Sequence, residues 1–220
     1  MMQTTDITRL WVGLLPAFSP ESMKTRLAVP LFLILSGIPL AAQTTEASSP
    51  VFEISQEGSS VKFYVKASVA LTGDFDKWDA TLTCHSTDVS TCVLDLKVQA
   101  DSVNSGSGMK DGKLKSKDFF NVKDDPYITF KSNKGVQTGP TTFDVAGVFT
   151  IRGVSKPETL TVTIARDGST AGAIKGQMAF DRKEYGMTSG IPFIKIADSV
   201  AVTVDLKVKR VSGPPLDLKQ

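Results

Sequence analysis

From Phe52 onward, apolar and polar side chains exchange places with a period of two. Val61, Phe63, Val65 and Ala67 alternate with Lys62, Tyr64, Lys66 and Ser68, and Leu94, Leu96 and Val98 alternate with Asp95, Lys97 and Gln99. The same rhythm carries Phe143, Val145, Gly147, Phe149 and Ile151, then Leu160, Val162 and Ile164, then Val200, Val202, Val204, Leu206 and Val208. Successive side chains on a strand point to opposite faces, so this pattern buries one face and wets the other, as antiparallel sheet does. Segments 75–83, 127–133 and 173–181 complete a set of about eight predicted strands, most of them bounded by Gly, Asn, Asp, Ser or Pro. Only 109–118 lacks the period, and it reads as a short helical segment. The expected class is all-β.

Eight alternating strands must dispose of their edges, and closure into an antiparallel barrel does so without a second sheet. A sandwich shows the same alternation, and periodicity alone does not separate the two. Staves of ~10 residues rising ~3.3 Å each and tilted ~40° would make a barrel about 25 Å tall.

Ahead of the alternating region, Lys24 and Arg26 precede an apolar run from Leu27 to Leu40 that ends at Ala41-Ala42-Gln43. A basic start, a short apolar centre and small residues at the end form a secretory signal, with Met23 as the expected translational start and cleavage expected after Ala42. The run is shorter than the ~20 residues of a membrane span, and Pro30 and Pro39 interrupt it. Residues 1–42 are therefore expected to be an extension plus signal peptide, 43–211 the folded domain, and 212–220 a flexible tail. The expected location is outside the cytoplasm, periplasmic or extracellular, with no stable membrane insertion after cleavage.

Charge narrows the partners. The whole chain holds 25 Lys and Arg against 23 Asp and Glu, a formal charge of +2. That near balance argues against nucleic acid, whose binding rests on clustered cations neutralising phosphates. Cys84 and Cys92 flank a polar segment, and in an oxidising compartment their spacing suits a disulfide across the neck of a loop. Two separate buried thiols are the alternative. His85 is the single histidine. A fourth metal ligand is missing from its neighbourhood, and no nucleophile elbow accompanies it. Neither a metal, a cofactor nor an enzymatic activity is expected.

Three clusters stand out in order: Leu114-Lys115-Ser116-Lys117-Asp118-Phe119-Phe120 followed by Asp125-Pro126-Tyr127; Phe149-Thr150-Ile151-Arg152-Gly153-Val154-Ser155-Lys156-Pro157; and Asp181-Arg182-Lys183-Glu184-Tyr185-Gly186-Met187. Together they resemble the YceI-like family, over roughly Phe52 to Lys209. The resemblance implies a lipocalin-like eight-stranded barrel whose apolar interior holds a polyisoprenoid chain, such as an isoprenoid quinone or its precursor. Lys113 stands where that family often has a histidine. Lys66-Ala67-Ser68 occupies the place of another, so a different head group is implied.

The side chains expected to face the lumen and touch such a chain are Phe63, Val65, Leu94, Leu96, Val98, Leu114, Phe119, Phe120, Phe130, Phe143, Val145, Phe149, Leu160, Val162, Met178, Phe180, Val202 and Val204. Gly147 and Gly176 fall on the same face, either to let a ligand lie against the backbone or to mark bulges and corners. Asp181-Arg182 is expected to be an ion pair at a barrel end, and Phe119-Phe120 is a candidate plug for one mouth. Two functional classes follow: a carrier or scavenger of isoprenoid lipid, with a fatty-acid carrier as a variant, and a stress-protection or interaction module whose core is filled by its own side chains. The oligomeric state stays open, a homodimer included.

Overall fold

The computed structural model describes residues 49–68, 71–190 and 195–218. The chain divides into Met1–Thr44 and Thr45–Gln220, and every described residue lies in the second unit. The signal-peptide expectation therefore lies outside the described residues.

The strands are β1 (Val51–Ala67), β2 (Leu71–Phe75), β3 (Trp78–Cys84), β4 (Cys92–Gln99), β5 (Val103–Asn104), β6 (Tyr127–Gln137), β7 (Thr142–Ile151), β8 (Val154–Asp167), β9 (Ala171–Asp181) and β10 (Ile196–Ser212), with one α-helix, α1 (Gly108–Lys115). Each hairpin-connected pair from β6 to β10 is antiparallel, and β10 pairs in turn with β1 from Val51↔Ser212 to Ala67↔Ile196. The circuit β1-β10-β9-β8-β7-β6-β4-β3 returns to β1 through Val51↔Thr83, which closes an eight-stranded antiparallel barrel. This is the expected class and architecture, with the helix where the period fails.

One predicted strand is broken. Segment 75–83 divides at Asp76-Lys77 into β2 and β3, because Phe75 and Trp78 both face inward although they are three residues apart. An inward pair at that spacing cannot sit on one regular strand. The chain bends out, and Ser102 satisfies the bend: its carbonyl accepts from the Asp76 amide at 3.1 Å and its hydroxyl from the Lys77 amide at 3.0 Å. Opposite the bend β1 carries its own irregularity between Ser55 and Ser60, where Gly58 takes a φ of 74°. The Gln56 side chain bridges the gap, its Nε2 donating to the Trp78 carbonyl at 2.6 Å. A second irregularity in β6, between Ser132 and Lys134, turns Ser132 into the lumen, where its hydroxyl accepts from the Leu94 amide at 2.8 Å.

Apart from Ala67, half-buried at the end of its row, the inward rows named from the alternation are buried or packed against the core. The two inward glycines serve packing. A Cβ on Gly147 would meet the Phe130 ring at 2.7 Å and the Lys131 carbonyl at 2.6 Å, and Gly147 sits beside the β6 irregularity. One on Gly176 would meet Val204 at 2.6 Å and Leu160 at 3.1 Å. Neighbouring side chains occupy the space that a ligand lying on the backbone would need.

Candidate functional site

Among the described residues two unequal chambers stand out in the lumen, one toward each end of the barrel. The first, of about 400 Å³, lies at the end that carries the β3–β4 loop, the β6–β7 and β8–β9 turns and the C-terminal tail. Its walls include Phe52, Leu82, Leu94, Phe143, Val145, Val162, Ile164, Ile174 and Val208, with Ser132 as a buried polar side chain among them. The β8–β9 turn, Arg166, Arg210 and Pro215, Leu216 and Leu218 complete its outer rim. This volume falls within the ~300–1,000 Å³ of small-molecule pockets. It exceeds the ~150 Å³ of an apolar cavity that admits benzene.

The rim is fastened at two points. Cys84 and Cys92, opposite each other where β3 meets β4, form the expected disulfide, so the loop between them is closed at its neck. The tail, as far as Leu218, lies along the rim and hydrogen-bonds to it. The Asp217 amide donates to the Thr87 carbonyl at 2.8 Å, and the Thr87 hydroxyl donates to the Asp217 carboxylate at 2.7 Å. Arg166 donates to the Leu216 carbonyl at 2.8 Å, and Arg210 donates to the carbonyls of Gly213 and, at 3.1 Å, Ser169. Leu216 and Leu218 flank Asp217 and turn toward the chamber, an apolar alternation too short to register as a strand in the sequence.

The second chamber, of about 80 Å³, is too small for a benzene-sized guest and is packed with aromatics. Phe63, Phe75 and Phe120 form one cluster with ring centroids 5.8 to 6.2 Å apart. Phe149, Phe180 and Tyr185 form another with centroids 5.0 to 5.5 Å apart. Phe119 and Phe120, held in the segment after α1, are buried against this end and close it. Of the residues expected to line the lumen, Leu94, Phe143, Val145 and Val162 border the large chamber. The others, Phe63, Val65, Leu96, Val98, Leu114, Phe119, Phe120, Phe130, Phe149, Leu160, Met178, Phe180, Val202 and Val204, border the small one.

Polar ties lock the narrow end. The expected Asp181–Arg182 ion pair is replaced by Arg182–Asp198, at 3.2 Å. Asp181 instead accepts from the Lys183 amide at 2.8 Å and caps the short turn that follows. Arg182, only 6 % exposed, also donates to the carbonyls of Met187, Ser189 and Ala197, so its buried charge is fully engaged. The hydrogen bond from Lys183, with help from both cations, holds the Asp198 carboxyl below the usual carboxylate range. Asp118 is lowered in the same way by Lys113, 2.5 Å away, so the lysine standing at a histidine position of the resemblance is committed to an ion pair. Tyr185 is pushed up by burial and by the Glu158 carboxylate that accepts its hydroxyl at 2.8 Å. Arg152, at a φ of 55°, ties two further segments together by donating to the carbonyls of Lys117 and Gly186.

The three sequence clusters thus converge on one closed barrel end. The profile of the YceI-like domain matches residues 52–208. The chain belongs to the YceI-like domain family. Among its relatives, a UPF0312 protein of Pseudomonas aeruginosa is 25 % identical over 151 residues, covering 64 % of this chain and 78 % of that protein. A UPF0312 protein of Pectobacterium atrosepticum is 26 % identical over 140 residues, covering 62 % and 72 %. In three dimensions the YceI-like barrel is similar to BcnA of Burkholderia cenocepacia, with a TM-score of 0.65 at 23 % identity over 70 % of this chain and 99 % of the other. It is also similar to a polyisoprenoid-binding domain from Saccharophagus degradans implicated in plant cell wall breakdown. There the TM-score is 0.60 at 16 % identity, over 74 % of this chain and 99 % of that domain. At such identities the structural likeness speaks for the YceI-like fold alone.

Proposed function

We propose that this protein is an exported lipid carrier or scavenger that holds part of an isoprenoid chain in the large chamber and acts by binding and release. The observation that carries the reading is the chamber itself: about 400 Å³ of mainly apolar lining in a closed barrel, reaching the rim at one end. By the scale of a benzene in ~150 Å³, it holds two to three groups of five or six carbons. Each prenyl unit gains roughly 3–4 kcal/mol in gross transfer energy, of which ordering the chain and removing it from a membrane takes back much. A few buried units then suffice for useful affinity, and the rest of a longer chain projects from the rim. Export rests on the leader read from the sequence, and a disulfide suits an oxidising compartment. The polyisoprenoid binding of the Saccharophagus domain favours this ligand class.

Native mass spectrometry of the protein after gentle extraction from its own compartment tests the reading. A co-purifying mass of a few hundred daltons or more, fragmenting in five-carbon steps, is expected. Bare protein in repeated preparations would instead support the second reading, a self-filled interaction or stress-protection module, which the aromatic packing of the narrow end favours. A straight-chain fatty acid, identified by its mass, would support the fatty-acid variant.

A further inference from the structure

We infer that the rim of the large chamber is an anion site for the ligand's head group, formed by Arg166 and Arg210; this rests on the carrier reading above. Both arginines continue inward-facing rows. Arg166 follows Leu160, Val162 and Ile164 along β8, and Arg210 follows Leu206 and Val208 along β10. They stand on the two strands that flank the start of β9. Arg166 is registered against Gly172, and the Arg210 amide bonds the Thr170 carbonyl. Between them Gly172, also registered against Val208, presents no side chain. The apolar rows of the chamber therefore end in two guanidinium groups across a bare strand.

Those charges lack a charged partner among the described residues. Among the described residues neither arginine pairs with a carboxylate, and their acceptors are the neutral carbonyls of Leu216, Gly213 and Ser169. The nearby tail carboxylate, Asp217, is engaged by Thr87. The narrow chamber offers no such pair: the charged side chain in its lining, Arg182, is committed to Asp198 and three carbonyls. Hydrogen bonds from guanidinium to a carboxylate or phosphate are roughly twice as strong as those to a neutral acceptor. An anionic head reaching the rim would displace the tail carbonyls, with its chain directed down the apolar rows. The ligand class is thus an amphiphile with a phosphate or carboxylate head.

Three probes of equal chain length separate the outcomes: geranylgeraniol, geranylgeranyl monophosphate and geranylgeranoic acid, each titrated into the full-length mature protein and into R166Q/R210Q. The anionic probes are expected to bind at least ~10-fold more tightly than the alcohol, a difference of ~1.4 kcal/mol. The variant should lose that preference, so that the three probes bind it alike. Whichever anionic probe shows the larger gap identifies the head as phosphate or carboxylate. Equal binding of all three to the unaltered protein overturns the anion site and leaves the carrier reading intact. Binding of none overturns both. The wild-type comparison alone decides the matter if the variant does not fold.

Discussion

The two ends of this barrel are built from the same alternation and come to opposite uses. At the narrow end seven phenylalanines fill the space between aliphatic inward positions, the entrance segments are tied by Arg152 and Arg182, and about 80 Å³ is left empty. At the wide end the inward positions are mostly aliphatic, the rim is fastened by a disulfide and a short tail, and about 400 Å³ remains. A closed eight-stranded barrel has one circumference, so its interior is either filled or left open by side-chain volume, level by level. The difference between the ends is therefore a difference of residue size, with the backbone topology held in common. It gives tight packing to one end and open volume to the other.

Substitutions can break this division, and the largest effect should come from the narrow end. Phe149→Ala removes a ring that touches both Phe180 and Tyr185, and it should cost about 3–5 kcal/mol, seen as a lowered midpoint in chemical denaturation. If the loss is under 1 kcal/mol, the narrow end is not the packed half. Arg182→Met should follow at about 2–3 kcal/mol, since it strands carbonyls that are otherwise satisfied. Replacing both Cys84 and Cys92 by alanine releases a loop of about nine residues and should cost roughly 2.5 kcal/mol on the chain-entropy argument. At the wide end Val145→Phe fills empty space, so stability should change by less than about 1 kcal/mol while affinity for a prenyl alcohol falls sharply.

The pH dependence sharpens the same comparison. Asp118 and Asp198 are lowered in the folded protein by partners at the narrow end, so their contribution is present above the ordinary carboxylate value of ~4. It is lost as pH falls through their lowered folded values. Tyr185 is raised, so its contribution is present below ~10 and declines as pH climbs beyond that. Between these limits these three groups add no slope to the stability profile. Asp198→Asn should reduce the loss on the acid side, read from denaturation midpoints at several pH values.

Much of this was legible in the sequence, for reasons particular residues show. Period two marks every inward row from Val61 to Val208, and the three charged and aromatic clusters mark the end they close. Phe75 and Trp78, three apart, already carried the signal for the bend at Asp76-Lys77. What alternation does not carry is depth. It says that Phe130, Leu160 and Val204 face inward, but not that their side chains fill the space above Gly147 and Gly176. The lumen expectation was therefore weighted toward the packed half. Phe52, Leu82, Ile164, Ile174 and Val208 at the open half stood in the same rows without being singled out. The partner of Arg182 was equally hidden, because Asp198 lies on β10, across a hairpin whose fold brings it closer than the adjacent Asp181.

The most direct test of the division between the ends is a crystal structure of the protein with a prenyl alcohol bound. The account predicts electron density for the branched chain against Phe143, Val162 and Ile174, with the rings of Phe63, Phe120 and Phe149 in unchanged contact. A chain threaded among those rings, with the wide chamber left empty, would contradict it.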